Sequence, residues 1–190
     1  WLLDLVAIGT VADCQSLLGE NRIFVKWGLQ VMAKTRWLGL QALLREAGIA
    51  GSPPDTYKIG FVIAPRLNAP GRIEHANLAL ELLLTDDPGQ AERLAQKLSE
   101  LNRHRQDLTQ QILSEAREQL NTKTAAKILL AASADWPRGI VGLVAGKLAE
   151  EFYRPVLILE KGQDEAVGSA RSIRGFDIIA AISQSQEILV

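Results

Sequence analysis

The nine-residue run Ala64-Pro65-Arg66-Leu67-Asn68-Ala69-Pro70-Gly71-Arg72 sets two guanidinium groups and an amide among helix-breaking residues, directly after an apolar segment. Arg presents a planar fork of donors that matches phosphate oxygens, Asn tolerates a left-handed backbone, and Pro and Gly fix and release the chain on either side. The pattern suits a fixed anion site. It equally suits a polar turn with two solvated arginines. A second grouping, Gly168-Ser169-Ala170-Arg171-Ser172, combines hydroxyls with a guanidinium at the end of an expected strand, where α/β sheets place ligands. It reads as half of a phosphate or carboxylate clamp, or as a polar hairpin end. Asp135-Trp136-Pro137-Arg138-Gly139-Ile140 precedes a helix start, where free N–H groups favour an anion, and the plainer reading is a helix-start turn.

Asp13 offers a hard carboxylate oxygen to a divalent metal, but one aspartate does not make a Mg²⁺ or Mn²⁺ site. His75 and His104 are isolated and expected on helical segments at the surface. Cys14 has no neighbouring base and reads as a buried thiol.

The elements that must position these groups follow from periodicity. Residues up to Ala12 form an apolar element, strand or buried helix, that delivers Asp13 at its end. Asn21 is expected to cap a helix through Trp27, Val31 and Met32, and a second helix through Leu40, Leu43 and Leu44 stops at Gly48. After a loop at Gly51-Ser52-Pro53-Pro54-Asp55, Ile59, Val62, Ile63 and Leu67 recur at helical spacing, so the Arg/Asn run falls where Pro65 and Pro70 break a helix. Leu78, Leu82 and Leu83 carry a short helix to Asp86-Asp87-Pro88. A long helix then runs to about Leu120, with Asp87 as cap and Pro88 in its first turn. On it Asn102, Arg103 and Arg105 read as a solvated polar face.

After Asn121 the pattern becomes a βαβ unit: a strand at 128–130, a helix from Ile140 to Ala149 and a strand at 155–159. A third strand from Ala166 to Ala170 and a helix near Asp177 follow. The expected fold class is α/β, with a mostly helical part first and an α/β part after it.

The chain has 190 residues, 47% of them hydrophobic, and can bury a core; its formal net charge of -1 excludes nucleic-acid binding by overall basicity. Its single cysteine excludes an intrachain disulfide and fits a reducing compartment, so the expected location is cytoplasmic. No apolar run has the length to cross a bilayer. The chain opens inside an apolar element at Trp1 and closes in Glu187-Ile188-Leu189-Val190, which gives the expectation of an internal fragment.

Taken together, Leu3 to Asp13, the Ala64 to Arg72 run, Leu101-Asn102-Arg103 with Arg105, Gly139-Ile140-Val141-Gly142 and Gly168 to Ser172 resemble the RecJ family of single-stranded-DNA-specific exonucleases. Their order and spacing match across nearly the whole chain. The resemblance implies a DHH phosphoesterase, whose catalytic domain holds two Mn²⁺ or Mg²⁺ ions and is joined by a long helix to a DHHA1 domain. It implies residues 1–86 as the C-terminal part of the DHH domain, 87–121 as the interdomain helix and 122–190 as a truncated DHHA1 domain. Asp13 then matches the last metal-binding aspartate, Arg66, Asn68 and Arg72 the segment facing the active-site cleft, and Ser169 and Arg171 a loop that holds DNA phosphate. Single-stranded DNA is the implied substrate, other DNA-repair proteins are implied partners, and no membrane is involved.

The sequence also departs from the family. The Asp-His-His signature and the earlier aspartate motifs are absent, the chain stops before the Gly-Gly-His motif expected shortly after Val190, and Pro137 stands where many relatives carry His. The expectation is therefore a fragment of an exonuclease that has itself lost catalysis. The alternatives are a single-stranded nucleic-acid or nucleotide binding module, a DHH-family phosphatase or nanoRNase, and a structural docking domain.

Overall fold

The structure, a computed structural model, describes residues 2–121, 126–185 and 187. The residues just past the expected boundary at Asn121, 122–125, and the closing 188–190 lie outside the described residues, as do Trp1 and residue 186. The chain divides into two compact units between His104 and Arg105. That division falls inside the long helix, whereas the sequence pattern puts the boundary at the helix end.

In the first unit the ambiguous opening segment is helix α1 (Leu3–Ala12). It lies against α2 (Gly19–Met32), and the approach is close because of Gly28: a Cβ there would sit 2.3 Å from the Leu3 carbonyl oxygen. Asn21 does not cap α2. The helix begins at Gly19, which places Asn21 within its first turn, and the Asn21 amide donates to the Ser16 carbonyl at 3.0 Å. Helix α3 (Leu38–Glu46) stops before Gly48, whose φ of +70° reverses the chain. The Arg/Asn run is built from a π-helical turn (Lys58–Ile63), α4 (Ala64–Asn68) and α5 (Pro70–Ile73).

Pro65 and Pro70 each fall in the first two positions of a helical piece, where a missing N–H costs nothing. The helix is therefore re-started at each proline rather than opened into a loop. Asn68 does not use the left-handed region; among described non-glycine residues that conformation belongs to Cys14 and Tyr153. Helix α6 (Asn77–Leu84) follows, and His75 lies in the non-helical link before it, contrary to expectation. The core of this unit is formed by Ala7, Ile8, Val25, Met32, Leu40, Leu43, Ile59, Ile63, Leu82 and Leu98.

Helix α7 (Pro88–Asn121) starts as expected: the Asp87 carboxylate accepts from the Gln90 amide at 2.7 Å. In the second unit β1 (Leu129–Ser133), α8 (Arg138–Phe152) and β2 (Val156–Lys161) form the βαβ unit, with β1 and β2 parallel. Strand β3 (Ala166–Arg171) adds antiparallel to β2, pairing Ile158 with Ser169. The sheet order is β1-β2-β3, and α8 covers β2 and β3. Helix α9 (Ile178–Gln184) is capped by Asp177, which accepts from the Ala180 amide at 3.0 Å. The chain is thus α/β, mostly helical with a small mixed sheet.

Candidate functional site

In the first unit, Asp13 follows the last turn of α1 with an exposed side chain, and its carboxylate accepts from the Gln15 amide at 2.6 Å. Cys14 is exposed, not buried: its φ of 54° turns the chain out of the helix and takes the side chain away from the core. Helix α1 runs beside the π-helical turn, where a Cβ on Gly60 would lie 3.8 Å from Val11 Cγ1. A groove of about 510 Å³ opens there between Val11, Ala12 and Cys14 on one side and Tyr57, Gly60 and Phe61 on the other. The Tyr57 and Phe61 rings are stacked at 4.9 Å, and both are exposed.

Arg66 is held in place. Its Nη1 donates to the Val62 carbonyl at 2.7 Å and its Nε to the Ser99 hydroxyl at 3.3 Å, one turn-internal contact and one to α7. Burial pushes the guanidinium pKa down; Glu46 opposes this and Arg103 adds to it. Ser99 and Asn102 are buried, so Asn102 is not part of a solvated face, while Arg103 is exposed. Asn68 and Arg72 stand exposed on α4 and α5, and His104 is exposed on α7. Sequence reasoning missed Ser99, because a serine inside an amphipathic helix carries no spacing signal of its own.

In the second unit Ser169 and Arg171 form a pair on β3. Arg171 Nη1 donates to Ser169 Oγ at 3.0 Å and to the Ala170 carbonyl at 2.9 Å. Gly142 of α8 makes room for them: a Cβ there would lie 3.2 Å from Ser169 Oγ and 3.6 Å from Arg171 Nη2. Gly142 therefore belongs with the pair although Ser169 lies 27 residues further along the chain. The start of α8 is different. Arg138 pairs with Glu160 and lies 4.0 Å from Glu165, and the hydrogen bond to Glu160 holds the guanidinium pKa above its ordinary value. Carboxylates beside that helix start repel an anion, so it behaves as the simple helix-start turn. Trp136 is buried, and its indole N–H donates to Glu115 at 2.7 Å. It anchors the helix start to α7.

No family model matches the chain. The single-stranded-DNA-specific exonuclease RecJ of Bacillus subtilis (strain 168) is 40% identical over 191 residues, covering 99% of this chain and 24% of the relative. The RecJ of Thermus thermophilus is 35% identical over 187 residues, 98% of this chain and 27% of the relative. A crystal structure of RecJ from that organism in complex with Mg²⁺ matches with a TM-score of 0.86 at 34% identity, over 99% of this chain and 29% of the solved one. A RecJ structure bound to manganese gives 0.84 at 34% identity, over 99% of this chain and 46% of the solved one.

Over nearly its whole length the chain is similar to part of RecJ. It spans about a quarter of the length of those two curated relatives. The segments that carry the RecJ resemblance lie on α1, on α4 and α5, on α7, at the start of α8 and on β3. For an ion such as the solved RecJ proteins bind, this chain offers the Asp13 carboxylate, and among the described residues no group of three His, Cys, Asp or Glu is placed to complete a site. Mg²⁺ keeps several of its waters and is held through few carboxylates, so the Asp13 carboxylate without neighbouring donors would hold such an ion only weakly. Among the described residues no helix is long and apolar enough to cross a membrane.

Proposed function

We propose that this chain is part of a metal-dependent exonuclease that hydrolyses single-stranded DNA from 5′ to 3′ into mononucleotides, in DNA repair and recombination in the cytoplasm. In this reading residues 1–86 belong to the DHH catalytic domain, 87–121 form the connecting helix and 122–190 belong to the DHHA1 domain. Asp13 is one metal ligand of the whole enzyme, which uses Mn²⁺ or Mg²⁺. Arg66, Asn68 and Arg72 serve its substrate side, and Ser169 and Arg171 hold a backbone phosphate. Other repair proteins are its partners.

The observation that carries this is the Ser169 and Arg171 pair, pre-ordered by its own hydrogen bond against Gly142 within a stretch similar to RecJ throughout. A guanidinium and a hydroxyl side by side present several donors to one phosphate, and holding non-reacting phosphates is what phosphoryl hydrolysis asks of cationic side chains. With Asp13 as the one metal ligand this reading assigns to it, the chain alone is expected to bind and not to cleave. The test is direct: 5′-phosphorylated single-stranded DNA and Mn²⁺ are added to the purified chain. Expected are salt-sensitive binding, weakened by Arg171→Gln, and no mononucleotide release. Clean release of mononucleotides overturns the inactivity, and binding that ignores salt overturns the phosphate-holding role.

A further inference from the structure

We propose that Arg103 is a second phosphate-contacting residue of the first unit, sharing one backbone phosphate of a single-stranded nucleic acid with Arg66. The inference rests on the nucleic-acid reading above and extends it to a residue on α7. Arg66 Nε donates to Ser99 Oγ, and Arg103 is one helical turn beyond Ser99, so the two residues share the face of α7 that meets Arg66. Ser99 and Asn102, buried on the same stretch, keep that face fixed, while the Arg103 side chain reaches solvent.

The hydrogen bonds that anchor Arg66 use Nε and Nη1, and neither uses Nη2. Arg103 lies near enough to disfavour the charge on Arg66, and the one carboxylate acting the other way is Glu46. Among the described residues nothing engages Arg103 by hydrogen bond or ion pair. Two mutually repelling guanidinium groups, one anchored and one solvated, are relieved by an anion that bridges them, and a phosphate has the oxygens to take both forks.

The experiment measures binding of a 5′-phosphorylated oligothymidylate to the whole chain by fluorescence anisotropy over a range of salt. The variants are Arg103→Gln, Arg103→Lys, Arg66→Gln and Arg171→Gln, each checked for an unchanged Tm. Losing one single-strand phosphate contact removes about 0.7 from the log–log salt slope, which is about a fivefold loss near 0.1 M salt. Arg103→Gln is expected to show both changes, and Arg103→Lys to restore the slope. Adding Arg66→Gln to Arg103→Gln is expected to weaken binding by less than the product of the single losses. If Arg103→Gln keeps the parent affinity and slope while Arg171→Gln loses them, this proposal fails and the nucleic-acid reading stands. If the parent chain itself shows no salt-dependent binding, both fall.

Discussion

Replacing Thr35 by Val removes one hydroxyl from beside a carboxylate that solvent does not reach. Asp4 is 1% exposed; its Oδ2 accepts from Thr35 Oγ1 at 2.7 Å and its Oδ1 from the Leu5 amide at 2.9 Å. Valine keeps nearly the same volume, so the loss is electrostatic and no cavity opens. A hydrogen bond to a charged group contributes about 1.5–3 kcal/mol, and the orphaned lone pairs stay buried. The Trp37 amide also gives up its bond to Thr35 Oγ1, but at 3.4 Å that bond is long and adds little. The expected destabilisation is thus about 2–3 kcal/mol, or a fall in Tm of roughly 4–12 °C for a chain of this size. Urea titration followed by far-UV circular dichroism reads it. The double variant Asp4→Leu with Thr35→Val should recover most of the loss, since removing both partners leaves no unpaired charge inside. A Thr35→Val midpoint within about 0.5 kcal/mol of the parent, or a double variant as weak as the sum of its parts, would refute the reasoning. The site is affected too, because Asp4 pins the helix whose far end presents Asp13.

Three further outcomes follow from the same geometry. Gly142→Ala places a methyl 3.2 Å from Ser169 Oγ, so oligonucleotide affinity should fall severalfold with little change in Tm; equal affinity would show that the pair is not positioned there. Gly39→Ala puts a Cβ 1.6 Å from the Leu82 carbonyl oxygen, backbone that does not yield, and should cost upwards of about 4 kcal/mol in the denaturation midpoint or abolish soluble expression. Hydrogen bonds from Trp136 and Gln111 hold the Glu115 carboxyl pKa below its ordinary value. A depressed folded-state value means stability that is present above the unfolded value and is lost as pH falls through the folded one. Urea midpoints taken downward from about pH 5 should therefore decline less steeply in Trp136→Phe than in the parent, and parallel acid limbs would contradict this.

What the sequence revealed and what it hid divide along physical lines. Asp87 before Pro88 and Asp177 before Ile178 were readable because a cap is a local interaction between neighbours. The βαβ unit was readable because strand and helix periods differ. Asn21 misled because Gly19 allows α2 to begin earlier, and Cys14 because its left-handed backbone carries no side-chain signature. The π-helical turn was invisible: Ile59, Val62, Ile63 and Leu67 fit an α-helical stripe, and only three-dimensional packing selects the wider ring. At the candidate site, Ser169 and Arg171 were legible as residue types at a strand end, whereas the Arg66 to Ser99 contact joins residues 33 apart in sequence and no local pattern encodes it.

An α-helix advances about 100° for each residue, so a turn that carries one residue more than its neighbours rotates everything downstream by about that angle. Between Lys58 and Ile63 the azimuth of Arg66 is therefore set by how many residues there are more than by which ones. Removing a single residue there would swing the guanidinium off Ser99 while leaving hydropathy and composition almost untouched. Insertions and deletions of one residue, rather than substitutions, are the lesions to which this stretch is most exposed.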